Sequence, residues 1–115
     1  MIEIKFFKQG EKLTGIESKG HSGAGRKGND IICAAVSVLM QALHLGLRNV
    51  ARLETLIYYA DEKLPLMRLV WHEKECNKAY VLAQTVAESL KSIAQDNPKY
   101  VKVHSTEEII YDIPF

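Results

Sequence analysis

The chain has 115 residues, of which 47% are hydrophobic and 25% charged, and its formal net charge is +1. That length and composition predict one soluble globular domain over 1–115, large enough to bury a core without staples. Near-neutral charge argues against a general nucleic-acid binder, which needs a basic excess to track phosphates.

Two cysteines, Cys33 and Cys76, do not make a disulfide framework. The opening Met1-Ile2-Glu3-Ile4-Lys5 alternates charged and apolar residues and has no signal-type apolar run. The greasiest region, Ile31 to Leu47, is interrupted by Ser37, Gln41 and His44. It reads as a buried helix shorter than a membrane span. The expectation is a cytoplasmic protein with free thiols and no membrane partner.

In chain order, Ile2, Ile4 and Phe6 alternate with Glu3, Lys5 and Phe7, which is strand period. Gln9-Gly10-Glu11 predicts a hairpin turn, and Leu13 to Ser18 a second, poorer strand. A glycine-rich loop follows. Asn29 or Asp30 is suited to cap a helix running from Ile31 to about Arg48. Being apolar almost all round, that helix is expected to be buried on most faces. Leu53 to Tyr59 and Leu66 to Trp71 predict a second pair of strands, turned by Asp61-Glu62-Lys63 and Pro65. A second helix spans about Asn77 to Asp96, closed by Pro98. Tyr100, Val101 and Val103 suggest a last strand, and 105–115 an apolar tail able to dock on the body or on a partner. The order β-β-α-β-β-α-β predicts an α+β domain, a mixed or antiparallel sheet with two helices packed on one face.

The chemistry concentrates in GHSGAGRKGNDIIC, Gly20 to Cys33. It contains a G-x-G-x-x-G at Gly23, Gly25 and Gly28. A dinucleotide fingerprint needs a buried parallel strand before it and a crossover after it. Here the preceding strand is amphipathic and the following elements form a hairpin. A Walker motif fails, because no lysine followed by serine or threonine comes after Gly28. A generic anion at the helix start, helped by Arg26 and Lys27, leaves His21 and Cys33 unexplained.

Cys33 falls in the first turn of the helix, where free N–H groups and the macrodipole favour a thiolate. His21 lies twelve residues upstream across a loop whose glycines permit a fold-back. A histidine within reach of the sulfur takes its proton and later protonates a leaving group. The same N–H groups suit an oxyanion. The plainer alternative makes Cys33 a small core residue among Ile31, Ile32, Ala34 and Ala35. Ser37, one turn on, either bonds the site or bonds back to the helix. Asp30 either orients His21 or only caps.

These residues resemble the signature of the bacterial ribosomal-processing cysteine proteases: a Gly-His pair, a flexible loop, then Gly-x-Asp-Ile-(Ile/Val)-Cys-Ala-(Ala/Gly)-x-Ser. Gly20 and His21 match the pair; Gly28, Asp30, Ile31, Ile32, Cys33, Ala34, Ala35 and Ser37 match the second part in register. The resemblance implies a dyad with His21 as base and Cys33 as nucleophile, no cofactor, a homodimer, and a loop that is mobile until substrate binds. It implies as substrate the precursor of bacterial large-subunit ribosomal protein twenty-seven, which loses a short N-terminal extension. The basic, glycine-rich loop from Ser22 to Lys27 departs from relatives, which often carry aromatic or acidic residues there.

Other residues carry weaker readings. His72 and Cys76 form half a metal site at most, with no second pair in the sequence, so no metal is expected. His44 reads as a satisfied or partly exposed helix residue, and His104 as a surface residue ending a strand. Tyr58, Tyr59 and Trp71 suit half-buried strand positions or a peptide groove. The competing classes are a non-enzymatic ribosome- or RNA-associated module, resting on Arg26, Lys27 and Lys99 to Lys102, and a thiol redox sensor.

Overall fold

The computed structural model describes residues 1–21, 30–61 and 63–108. Five strands and two helices follow the predicted order: β1 Ile2–Gln9, β2 Lys12–Lys19, α1 Ile31–Leu45, β3 Ile57–Asp61, β4 Leu66–Val70, α2 Cys76–Asp96 and β5 Val101–Thr106. The strands form one mixed sheet in the order β3-β4-β2-β1-β5. β5 runs parallel to β1, and every other neighbour is antiparallel. Because β2 is antiparallel to both its neighbours, the loop after it lacks the parallel setting of a dinucleotide fold.

The register decides which residues face the helices. Ile4 stands opposite Ser18, Ser18 opposite Met67, and Met67 opposite Ala60. The next row on that face is Phe6, Ile16, Leu69 and Tyr58. Both helices pack here, and Met40, Leu43 and Leu47 of the first and Ala79, Ala83 and Leu90 of the second join the sheet residues in one core. The opposite face carries Lys5, Glu17, Arg68 and Tyr59 in register. There Arg68 Nε donates to the buried Glu17 carboxylate at 2.8 Å, and the guanidinium lies over the Tyr59 ring. Gly15 sits at a close approach of β2 to β4. A Cβ there would meet Val70 Cγ1 at 2.6 Å and the Leu69 carbonyl oxygen at 2.9 Å.

Four expectations are corrected. The third strand starts at Ile57 rather than Leu53. The Glu75 carboxylate accepts the backbone N–H groups of Glu54 and Thr55 at 2.9 and 2.7 Å, diverting both from a strand ladder. Trp71 is fully buried rather than half-buried, with its indole N–H donating to the Leu13 carbonyl. Ser105 and Thr106 belong to β5, opposite Phe6 and Phe7, and not to the tail, so His104 lies within the strand. The residues 109–115, read as the apolar tail, fall outside the described residues.

The fourth correction concerns the first helix. It continues through a π turn at Gly46–Val50. The segment Ile31–Val50 is 20 residues, with a mean hydropathy of 1.7 over an 18-residue window, long and apolar enough by length and composition to cross a bilayer. Its inner face lies in the core shared with the sheet and α2. Its outer face is open, with Ile31, Val38 and Leu45 at 82%, 63% and 57% exposure. Burial on most faces does not hold, because the second helix covers one flank only.

The Glu75 lock makes stability depend on pH. Burial alone would raise its pKa, but hydrogen bonds from the Thr55 hydroxyl and the Glu54 and Thr55 N–H groups, with nearby Lys78, hold it below the ordinary glutamate value. A depressed folded-state pKa stabilises the protein above the unfolded pKa and is lost as pH falls through the folded value. Glu75→Gln is expected to cost about 1–3 kcal/mol at neutral pH. The gap to wild type should shrink as pH falls below the unfolded glutamate pKa, read by urea denaturation across the acid range.

A candidate cysteine hydrolase site in the groove beside the first helix

Gly20 ends the second strand and sets the direction of the chain into the site. Its φ is +96°, a conformation that favours glycine, and its N–H donates to the Pro65 carbonyl at 2.9 Å. A Cβ there would lie 2.5 Å from the Met1 carbonyl oxygen. The Gly-His pair in the sequence therefore has a steric cause. Only glycine lets the chain pass the N-terminal strand and deliver His21, which is solvent-exposed, to the mouth of the cavity.

On the other side of the loop, Asp30 is the helix cap. Its carboxylate accepts the Cys33 N–H at 2.9 Å. Cys33 is thus the third residue of the helix, in the first turn, and it is half-buried. This refines the oxyanion expectation. The Cys33 N–H is engaged by the cap, so the remaining first-turn donors are those of Ile31 and Ile32, which helix geometry leaves without an intrahelical acceptor.

A cavity of about 440 Å³ lies between the first helix and the β3–β4 hairpin. His21 and Cys33 both line it, at its end nearest the helix start, as do Gly20 and Ser37. The Ser37 hydroxyl accepts from Gln41 Nε2, one turn on in the same helix, at 3.2 Å. Gly28 and the loop glycines Gly23 and Gly25 fall outside the described residues, as do Asn29, Arg26 and Lys27. The floor comprises residues that sequence reasoning did not assign to a site: Ile2, Ser18, Ala60 and Met67. Their strand alternation was visible, but the strand order that sets β3 and β4 beside β2 was not. Tyr58 also lines the cavity, whereas Tyr59 points to the opposite sheet face and Trp71 into the core.

The second cysteine is a contrast. Cys76 is buried at the start of the second helix and its thiol donates to the Leu13 carbonyl at 3.4 Å. Burial pushes its pKa up. His72 caps the turn before it, its Nδ1 accepting the Lys74 N–H at 3.0 Å. Among the described residues there is no cluster of three or more metal-ligating side chains.

A thiol in a first helical turn and a histidine at the mouth of the same groove define a candidate cysteine hydrolase, with room beside the sulfur for an extended chain. The sequence comparison gives that class its family. The model of the cysteine protease Prp matches residues 1–102, and the chain belongs to that family. Among solved structures, SMU.848 from Streptococcus mutans superposes with a TM-score of 0.80 at 28% identity, over 92% of this chain and 94% of that one. The essential ribosomal processing protease Prp from S. aureus, in complex with a covalently linked product peptide, gives 0.79 at 19% identity, over 92% and 100%. The same protease with a substrate peptide gives 0.75 at 18% identity with the same coverage. No curated protein matches in sequence.

Gly20 offers a direct test of how the site is built. Gly20→Ala must strain φ or displace the first strand, at about 1–3 kcal/mol. The expected result is a lower melting temperature together with loss of peptidase activity, measured by thermal denaturation and peptide cleavage on the same sample.

Proposed function

We propose that this protease uses a His21–Cys33 dyad to remove a short N-terminal extension from a ribosomal protein precursor, that of bacterial large-subunit protein twenty-seven. The observation that carries this reading is that Cys33, in the first turn of α1, and His21, at the mouth formed by Gly20, open into one groove. The S. aureus relative, which holds product and substrate peptides and is a ribosomal processing protease, supports the substrate class.

In this mechanism an extended peptide lies along the groove. His21 takes the Cys33 proton, and the thiolate attacks the scissile carbonyl. The Ile31 and Ile32 N–H groups hold the oxyanion, with the positive end of the helix behind them. The C–N bond breaks as His21 protonates the departing amine, leaving an acyl-enzyme on sulfur. Water, deprotonated by His21, then releases the new carboxylate and the thiol. Asp30 acts through its cap, fixing the helix start that aims Cys33.

The reading includes a cytoplasmic homodimer without metal, cofactor, membrane or direct nucleic-acid partner. The open face of α1 supports the dimer. Ile31, Val38 and Leu45 recur every seven residues, with exposed Ala34 and Ala42 between them. That is a seam suited to a second copy of the same helix.

Two experiments test this. The host's ribosomal precursor is incubated with wild type or with Cys33→Ser and analysed by mass spectrometry. A single cut by wild type and none by the variant is expected; intact precursor in both tubes would overturn the substrate. On the same proteins iodoacetamide should label Cys33 in the native state below neutral pH, more slowly in His21→Ala, and Cys76 only after denaturation. Separately, Val38→Asp should convert a dimer to a monomer in sedimentation equilibrium while leaving the far-UV spectrum unchanged.

A further inference from the structure

The groove continues well past the reacting atoms. Cys33, Ser37 and Gln41 line it on successive turns of the first helix. The eight residues from Cys33 to Gln41 correspond to about 12 Å along the axis. An extended peptide advances about 3.3 Å per residue. A side chain lying beside Gln41 therefore belongs to a residue about four positions from the bond held at Cys33.

At that far end the sheet supplies Tyr58, which lines the cavity and is 37% exposed. Its ring does not stand alone. His44 stacks on it with centroids 4.0 Å apart and planes 16° from parallel. Two aromatic rings in register form a stiff platform, because neither can rotate without losing the contact. The platform is uncharged: burial, and then the positive charge of Arg48, lower the His44 pKa and keep the imidazole neutral near pH 7. Its Nε2 is buried without a hydrogen-bond partner among the described residues. Across the groove, the Gln41 amide is engaged with Ser37. Met67 and Ala60 continue the floor as apolar surface.

We propose that this end of the groove is a second recognition subsite, in which Tyr58, backed by His44, receives a large apolar side chain, aromatic or branched aliphatic, about four residues from the scissile bond. Tyr58 is then a specificity-determining residue and His44 a positioning residue that acts through it. The inference rests on the peptidase reading, and an acidic side chain set against this uncharged platform would lose its hydration without a partner.

The test uses decapeptides from the processing region of the ribosomal precursor. Phe, Leu, Ala or Asp is placed at each position three to five residues to either side of the scissile bond. Affinity is read by fluorescence anisotropy on Cys33→Ser, and kcat/KM on the active protein. At one of these positions Phe or Leu should bind at least about tenfold tighter than Ala or Asp. Tyr58→Ala should erase that contrast, and Tyr58→Phe should retain it. The loss should appear in KM rather than kcat. A melting curve on each variant separates misfolding from lost recognition, and His44→Phe provides a second variant that keeps the stack. Cleavage without any side-chain contrast would overturn the subsite and leave the protease reading standing. Contrast in binding without cleavage would do the reverse, and no binding by any peptide would overturn both.

Discussion

The site depends on one close approach. At Gly20 the second strand passes so near the Met1 carbonyl that no side chain fits, and the backbone turns with φ at +96°. This contact ties the start of the first strand to the end of the second, and the Gly20 N–H ties both to Pro65 before the fourth. Three strand ends therefore converge where His21 begins. On the far side, the Asp30 carboxylate binds the Cys33 N–H and fixes the start of the helix. The two anchors are independent: one is steric, the other a charge-assisted hydrogen bond. Together they set the geometry of the groove mouth from fixed elements, whatever path the chain takes between them.

The cap has a chemical consequence. Under the proposed dyad, an aspartate beside the Cys33 sulfur opposes a thiolate by charge, yet it also organises the helix terminus that favours one. Accepting the Cys33 N–H spends the carboxylate on the backbone and directs it at the amide of the same residue whose thiol it flanks. A serine or threonine cap would satisfy the N–H without the charge.

Much of this was legible in the sequence because the signals were local. Alternation placed the first two strands, Asp30 announced the cap, and the Gly-His and Asp-Ile-Ile-Cys spacing placed the dyad candidates on either side of one loop. What remained hidden was long-range. Nothing near Leu53 says that a glutamate 22 residues later in the sequence takes the strand's N–H groups, and so the third strand was placed too early. Nothing near Tyr58 says that its strand lies at the sheet edge beside the groove, or that His44 from the first helix lies against it. Trp71 looked like an alternating strand residue, and only the tertiary contact with Leu13 shows why it is wholly buried. Periodicity gives faces; strand order decides which faces meet.

The unusual composition of the first helix then has a physical account. A helix that packs on one side only should carry a polar outer stripe. This one is apolar nearly all round, although Val38 and Leu45 stand exposed and only its inner residues reach the core. Three demands divide its circumference. Val36, Met40 and Leu43 hold it to the fold. Cys33, Ser37 and Gln41 line the groove. Ile31, Val38 and Leu45 remain, and the proposed dimer gives them a partner. Under that arrangement the helix carrying the nucleophile is held from two sides, and its third side faces substrate alone. Burial of the outer seam would then steady the first turn, adding to the Asp30 cap.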